Sequence, residues 1–107
     1  MNEIKDLMGK VIQFRDDRDW QQFHNAKDLA VSLSLEASDL LELFQWKTSE
    51  EAVEKNLEKT EDELADIVTY TLLFANETGI DIISAVNEKL KKNDKKYPVE
   101  KAYGVNK

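Results

Sequence analysis

The hydrophobic positions of this chain fall in steps of three and four, the spacing that lines one face of an α-helix. Ile4, Leu7, Met8, Val11 and Ile12 mark a first helix over residues 2–16. The polar, aromatic stretch from Asp17 to His24 interrupts it. A second helix is predicted from Lys27 to about Gln45, with Asn25 as its N-cap. Its apolar stripe is Leu29, Leu33, Leu40 and Leu43, with Val31, Leu35, Leu41 and Phe44 beside it. Ser49 is the expected N-cap of a helix that opens with Glu50 and Glu51. That region continues to about Thr78, as one helix or as a short one leading into a long one. Gly79 stands where a helix-ending residue of left-handed conformation belongs. Asp81 is the expected cap of a last helix from Ile82 to Lys95, with Ile83, Val86 and Leu90 facing inward. Tyr97-Pro98 ends that helix, and the tail beyond is expected to be loosely ordered. The predicted fold is an all-α, bundle-like domain of four to five helices spanning residues 1–107 as one unit.

Two of these helices break their apolar pattern with acids. In the second helix, positions 29, 33, 36, 40 and 43 form the inward stripe; Leu holds four of them and Glu36 the fifth. Asp39 lies three residues on, near the same face. The long helix repeats the arrangement. Glu63 leads in helical steps to Ile67, Tyr70 and Phe74, and Asp66 follows three residues later. Ionised carboxylates set among apolar neighbours are costly without partners. Four that face one another would protonate or move apart unless a cation joined them. Mg²⁺ takes oxygen ligands and suits carboxylates together with phosphates. The competing reading is a solvated acidic surface, because E-x-x-D spacing is common in a chain with 22 acidic residues. A di-iron carboxylate bundle would use Glu-x-x-His pairs. The single histidine, His24, lies outside both helices.

Composition narrows the function classes. With 107 residues the chain is long enough for one domain with a modest core. One proline and three glycines leave little turn punctuation, which favours long helices over many short strands. The net charge of -7 argues against a duplex nucleic-acid surface, which needs a basic patch. A free nucleotide that arrives with its own metal ion remains compatible. Cysteine is absent, which removes disulfides and thiolate metal sites and fits a cytoplasmic location. The opening MNEIKDLMGKVIQF carries acids and no long apolar run, so no signal peptide is expected. No stretch approaches the roughly 20 apolar residues of a membrane span.

Taken together, the chain resembles the MazG-like nucleoside triphosphate pyrophosphohydrolases of the all-α NTP pyrophosphatase superfamily, and within them the dCTP pyrophosphatase branch. The residues that carry the resemblance are Glu36-Ala-Ser-Asp39 and Glu63-Leu-Ala-Asp66, matching E-x-x-E/D followed by E-x-x-D. Flanking text agrees: Phe14-Arg15, Arg18-Asp19-Trp20, Gln22-Phe23-His24, then Glu42-Leu43-Phe44-Gln45-Trp46-Lys47. Lys89-x-x-x-Asn93-x-x-Lys96-Tyr97-Pro98 matches a further motif, so the likeness covers about residues 10–98. Asp39 departs from the pattern, since many relatives carry Glu there, and the C-terminal tail is short. The resemblance implies hydrolysis of a nucleoside triphosphate, usually a deoxynucleotide, to the monophosphate and pyrophosphate. It implies Mg²⁺, with Mn²⁺ as a substitute, held by Glu36, Asp39, Glu63 and Asp66. Either Glu36 or Glu63 would also orient or deprotonate the attacking water.

Further roles follow from the same resemblance, each beside a plainer reading. Lys89, Asn93 and Lys96 share a helix face and would grip phosphate and sugar; the plainer reading is a basic helix end favoured by the macrodipole. Trp20 and Trp46 would stack on the base, at about 1–3 kcal/mol per base in single-strand systems, or else pack in a core or interface. His24 would contact the nucleotide or a metal-bound water, or cap the helix that begins beside it. The resemblance also implies self-association to a dimer or tetramer, with the nucleotide pocket completed near the subunit interface, and a nucleotide-pool cleaning role. The alternative class is a helical oligomerisation or nucleotide-binding module without turnover, its acids serving as salt-bridge partners.

Overall fold

The chain is all-α, and the computed structural model describes residues 2–105. Among the described residues five helices follow in order: α1 (Glu3–Asp17), α2 (Ala26–Glu42), α3 (Ser49–Thr78), α4 (Ile82–Lys96) and α5 (Val99–Ala102). A short 3-10 turn, Trp20–Phe23, links α1 to α2. Each longer helix begins on a side chain that satisfies an otherwise unpaired backbone N–H, worth about 1 kcal/mol. Asn2 accepts from Ile4 N at 3.0 Å, Asn25 from Asp28 N at 2.8 Å, and Asp81 from Ser84 N at 3.1 Å. At α3 the cap is Thr48, whose Oγ1 accepts from Glu51 N at 3.2 Å. Ser49, expected in that role, is the first helical residue instead. The hydroxyl one position earlier is the one that reaches three residues ahead.

α3 runs for 30 residues and carries a kink at Asn56, where φ and ψ are −120° and 23°. The Asn56 side chain uses the bend to donate to the Leu43 carbonyl at 3.3 Å, tying α3 to the end of α2. α2 itself stops at Glu42, and its sequence continues as a turn rather than as helix to Gln45. At the far end of α3, Gly79 takes φ 72°. Ile80 N then donates to Ala75 O at 2.9 Å and Gly79 N to Asn76 O at 3.4 Å, the paired bonds of a Schellman stop.

The core lies where α2 packs along α3, with α1 against α3 on another side. Leu29 from α2 meets this region with Leu72, Leu73 and Ala75 from α3, all buried. α4 touches the other helices only sparsely. Its stripe, expected inward, is open: Ile83, Val86 and Leu90 are 37%, 51% and 60% exposed. The tail after Pro98 is not loose throughout, because α5 forms a single turn there, with Ala102 N donating to Pro98 O at 2.9 Å. The radius of gyration is 16.9 Å, against about 13 Å for a compact domain of this length. The single chain thus holds less of its apolar surface inside than its size permits.

Leu72 is 2% exposed, so Leu72→Ala should destabilise the fold by about 2–5 kcal/mol through lost burial and a residual cavity. Urea denaturation measures this, and an unchanged midpoint would show that the core is elsewhere.

Candidate metal centre

Glu36 occupies the middle of the α2 stripe and is half-buried, with half-buried Leu33 and Leu40 a turn to either side. Glu63 is also half-buried, and Ile67, Tyr70 and Phe74 follow it along the inner face of α3. The two helices run antiparallel, since Glu36 meets Glu63 where Asn56 reaches Leu43 further along. Packing of the leucine stripe therefore brings the acids together. Ligand oxygens of Glu36, Asp39 and Glu63 all lie within 4.8 Å of one another. Asp39 is exposed and forms the solvent side of the group.

Asp66 is near but not in that group. Three residues along a helix turn the side chain about 60° round the axis, and Asp66 falls on the edge of α3 that looks toward α1. There it lines a cavity with Lys10, Val11, Phe14 and Thr69. The structure thus joins three of the four expected acids and sets the fourth at the border.

The group is electrostatically uncomfortable. Burial holds the Glu36 carboxyl above its ordinary pKa, aided by a side-chain hydrogen bond with Glu63 and by the charges of Asp66, Glu63 and Asp39. Glu63 Oε2 is buried and has no hydrogen-bond partner. At this separation two ionised carboxylates repel by roughly 1–3 kcal/mol, between water-like and protein-like screening. No basic side chain relieves them: the ion pairs among the described residues are Arg15–Asp16 and Lys91–Glu88. Convergent oxygens, an orphaned buried acceptor and no basic partner form a donor set that fits a hard divalent cation.

The other expected site residues are more scattered. Trp20 lies in the 3-10 turn, 45% exposed, its ring edge-on to Phe14 with centroids 5.9 Å apart. The Arg18 guanidinium sits 3.6 Å over the Phe14 ring. His24 follows the turn, and its Nδ1 is buried without a partner; the α2 cap beside it is Asn25. Trp46 is 98% exposed on a turn where its φ is 63°. Packing within the chain does not account for it, and the left-handed backbone costs a bulky residue about 1–2 kcal/mol. Lys89, Asn93 and Lys96 share α4; Asn93 is half-buried and both lysines are exposed. No ion pair among the described residues joins these lysines to the acids.

Sequence reasoning passed over Lys10 and Thr69, which line the cavity beside Asp66. The spacing of Lys10 and Phe14, one helical turn apart, was the available signal. It also passed over Arg15 as a buried charge: 5% exposed, its Nη2 lies 2.8 Å from Asp16 Oδ1.

The profile of the MazG-like family matches residues 31–107, which hold all four acids, Trp46 and the α4 motif. The chain is 32% identical over 106 residues to dCTP pyrophosphatase 1 of Mus musculus, covering 94% of this chain and 62% of that protein. It is 34% identical to the Bos taurus protein of the same name, covering 94% and 63%. It therefore spans less than two thirds of the length of these curated relatives. The crystal structure of a pyrophosphatase from Archaeoglobus fulgidus matches with a TM-score of 0.86 at 38% identity, covering 92% of this chain and 94% of that one. With the profile covering most of the chain and both acid-bearing helices, the chain belongs to the MazG-like family.

Proposed function

We propose that this chain hydrolyses nucleoside triphosphates, deoxynucleotides such as dCTP in particular, to the monophosphate and pyrophosphate. The observation that carries the reading is the convergence of Glu36, Asp39 and Glu63 without a basic partner. Its company supports it: relatives named dCTP pyrophosphatase 1 and a similar structure named a pyrophosphatase. In this reading Glu36, Asp39 and Glu63 hold Mg²⁺, or Mn²⁺ in its place, with Asp66 at the border of the site. A cation bound there would supply positive charge for the phosphoryl oxygens and offset the charge of the acids. The chain's own residues then handle water. A water oxygen attacks phosphorus, the bond between the α and β phosphoryl groups breaks, and pyrophosphate leaves. The water proton passes to Glu36 or Glu63. Both are half-buried, and burial raises the pKa of Glu36, which makes its carboxylate the stronger proton acceptor when ionised. His24, Trp20, Trp46, Lys89, Asn93 and Lys96 are the candidate contacts to the nucleotide.

The rival reading, a module whose acids are salt-bridge partners, finds no such bridge to Glu36, Asp39, Glu63 or Asp66 among the described residues. The net charge of -7 keeps duplex nucleic acid out of the proposal. Among the described residues, no helix is long and apolar enough to cross a membrane. A cytoplasmic role in cleaning nucleotide pools completes the reading.

We also propose a homotetramer built from dimers, with the nucleotide pocket completed near the subunit interface. The open α4 stripe supports it, as does a mostly apolar groove of about 430 Å³ lined by Leu7, Glu61, Leu64, Ala65, Val68 and Thr69. Light scattering at micromolar concentration should give four times the chain mass of 12.4 kDa; a monomeric mass would sink the assembly proposal.

Glu63→Gln removes a charge and leaves the shape. It should lower pyrophosphate release from dCTP by on the order of 10²-fold or more, and EDTA should do the same to the parent chain. Circular dichroism should stay unchanged. Full activity in Glu63→Gln would refute the site.

A further inference from the structure

The linker between α1 and α2 directs backbone strain and a charged side chain at one indole. Asp19 takes φ 54°, in the left-handed region that a non-glycine residue keeps only where its surroundings fix it. Gln22 Nε2 offsets that strain by donating to Asp19 O at 3.0 Å and to Asp19 Oδ2 at 2.9 Å. On either side of this bend, Arg18 and Trp20 both reach the same ring, that of Phe14, one turn back on α1.

Arg18 is exposed yet held at two points. Its Nη1 donates to the Phe14 carbonyl at 2.9 Å. Its guanidinium carbon lies 3.6 Å from the Phe14 ring centroid and 5.9 Å from that of Trp20. The Trp20 ring in turn meets Phe14 at 72° between planes. Phe14 and Trp20 are both exposed, so burial alone fixes neither ring. No ion pair among the described residues engages Arg18. An exposed cation–π contact and one carbonyl hydrogen bond gain about as much as fixing an arginine side chain loses. The arrangement therefore adds little to the stability of the fold. What it does is restrict the indole.

We propose that Arg18 is a positioning residue: its guanidinium, pinned on Phe14, holds the Trp20 indole in one orientation and so presets it as a contact to the nucleotide. The proposal rests on the hydrolase reading above, in which Trp20 is a candidate contact, and adds a residue that the reading does not use. Arg18 touches no substrate and acts through Trp20 alone. The rotational freedom that a mobile indole would lose on binding is already given up in the free chain.

The test compares the full chain with Arg18→Ala and Arg18→Lys, each made alone and together with Trp20→Ala. For spectroscopy, Trp46→Phe leaves Trp20 as the remaining one of the chain's two tryptophans. Its nanosecond fluorescence anisotropy then follows the motion of the ring. Arg18→Ala should add a fast component to that decay while moving Tm by less than about 4 °C. With dCTP and Mg²⁺ the same variant should raise KM about twofold to tenfold, the cost of ordering one side chain on binding, and leave kcat near the parent value. Arg18→Lys keeps a cation without the planar fork and should recover part of both effects. On top of Trp20→Ala, Arg18→Ala should change nothing further. A further loss there would place Arg18 on the substrate and overturn the proposal. An unchanged anisotropy decay, or the fold lost in both Arg18 variants, would also overturn it. If the parent chain released pyrophosphate from no triphosphate, the hydrolase reading would fall, and anisotropy with dCMP binding would still decide whether Arg18 presets Trp20.

Discussion

Repulsion among carboxylates is the constraint around which this chain is arranged. Glu36, Asp39 and Glu63 place oxygens within 4.8 Å of one another, and left to themselves they would separate or take up protons. What holds them is unrelated to their charge. The leucine stripe of α2 packs along α3, Asn56 ties the kink of α3 to the end of α2, and the Schellman stop at Gly79 fixes where α3 ends. Apolar burial and backbone hydrogen bonds thus enforce an arrangement that electrostatics opposes. The raised pKa of Glu36 and the unpartnered Glu63 Oε2 are two signs of that opposition. Under the proposed function, a cation, and a phosphate-bearing ligand that brings one, would relieve that strain.

The same economy explains the open surfaces. A chain of 107 residues that spends its best-packed interface on the acid pair has little left with which to cover α4. The α4 stripe and Trp46 remain exposed, and the molecule is extended for its length. Self-association would cover these faces while leaving the acid group where α2 and α3 set it. The basic end of α4 carries Lys89 and Lys96 on the helix that the single chain packs least. In the proposed reading, positive charge for the substrate and negative charge for the metal thus stand on separate elements.

Much of this was legible from residue spacing. Asn25, Asp81 and Gly79 announced helix ends through side chains and backbone freedom that act locally, and the structure uses all three. Glu36 stood out because a stripe otherwise made of leucine has a physical reason to exclude it. Asp66 was less legible. Its spacing from Glu63 equals that of Asp39 from Glu36, and only the position of α1 shows that it turns toward a cavity. The α4 stripe was misread as inward because periodicity reports an apolar face and says nothing of which molecule covers it. α5 was missed because one turn of four residues is too short to show a period.

Whether the acid group takes up a cation is read from the pH dependence of Mg²⁺ stabilisation. The native chain holds the Glu36 proton above the ordinary pKa of that group. In the pH range between the unfolded and folded values, the native state therefore binds more protons than the unfolded state. Without a cation, the stability this group supplies is full at low pH and is lost as pH rises through the folded pKa. A cation needs the deprotonated form, so its binding strengthens over the same range. The rise in Tm on adding Mg²⁺ should be small near about pH 5 and larger near about pH 8, and Glu36→Gln should reduce it. A Tm that ignores Mg²⁺ at both pH values, or that responds equally at both, would show that these carboxylates do not hold the cation.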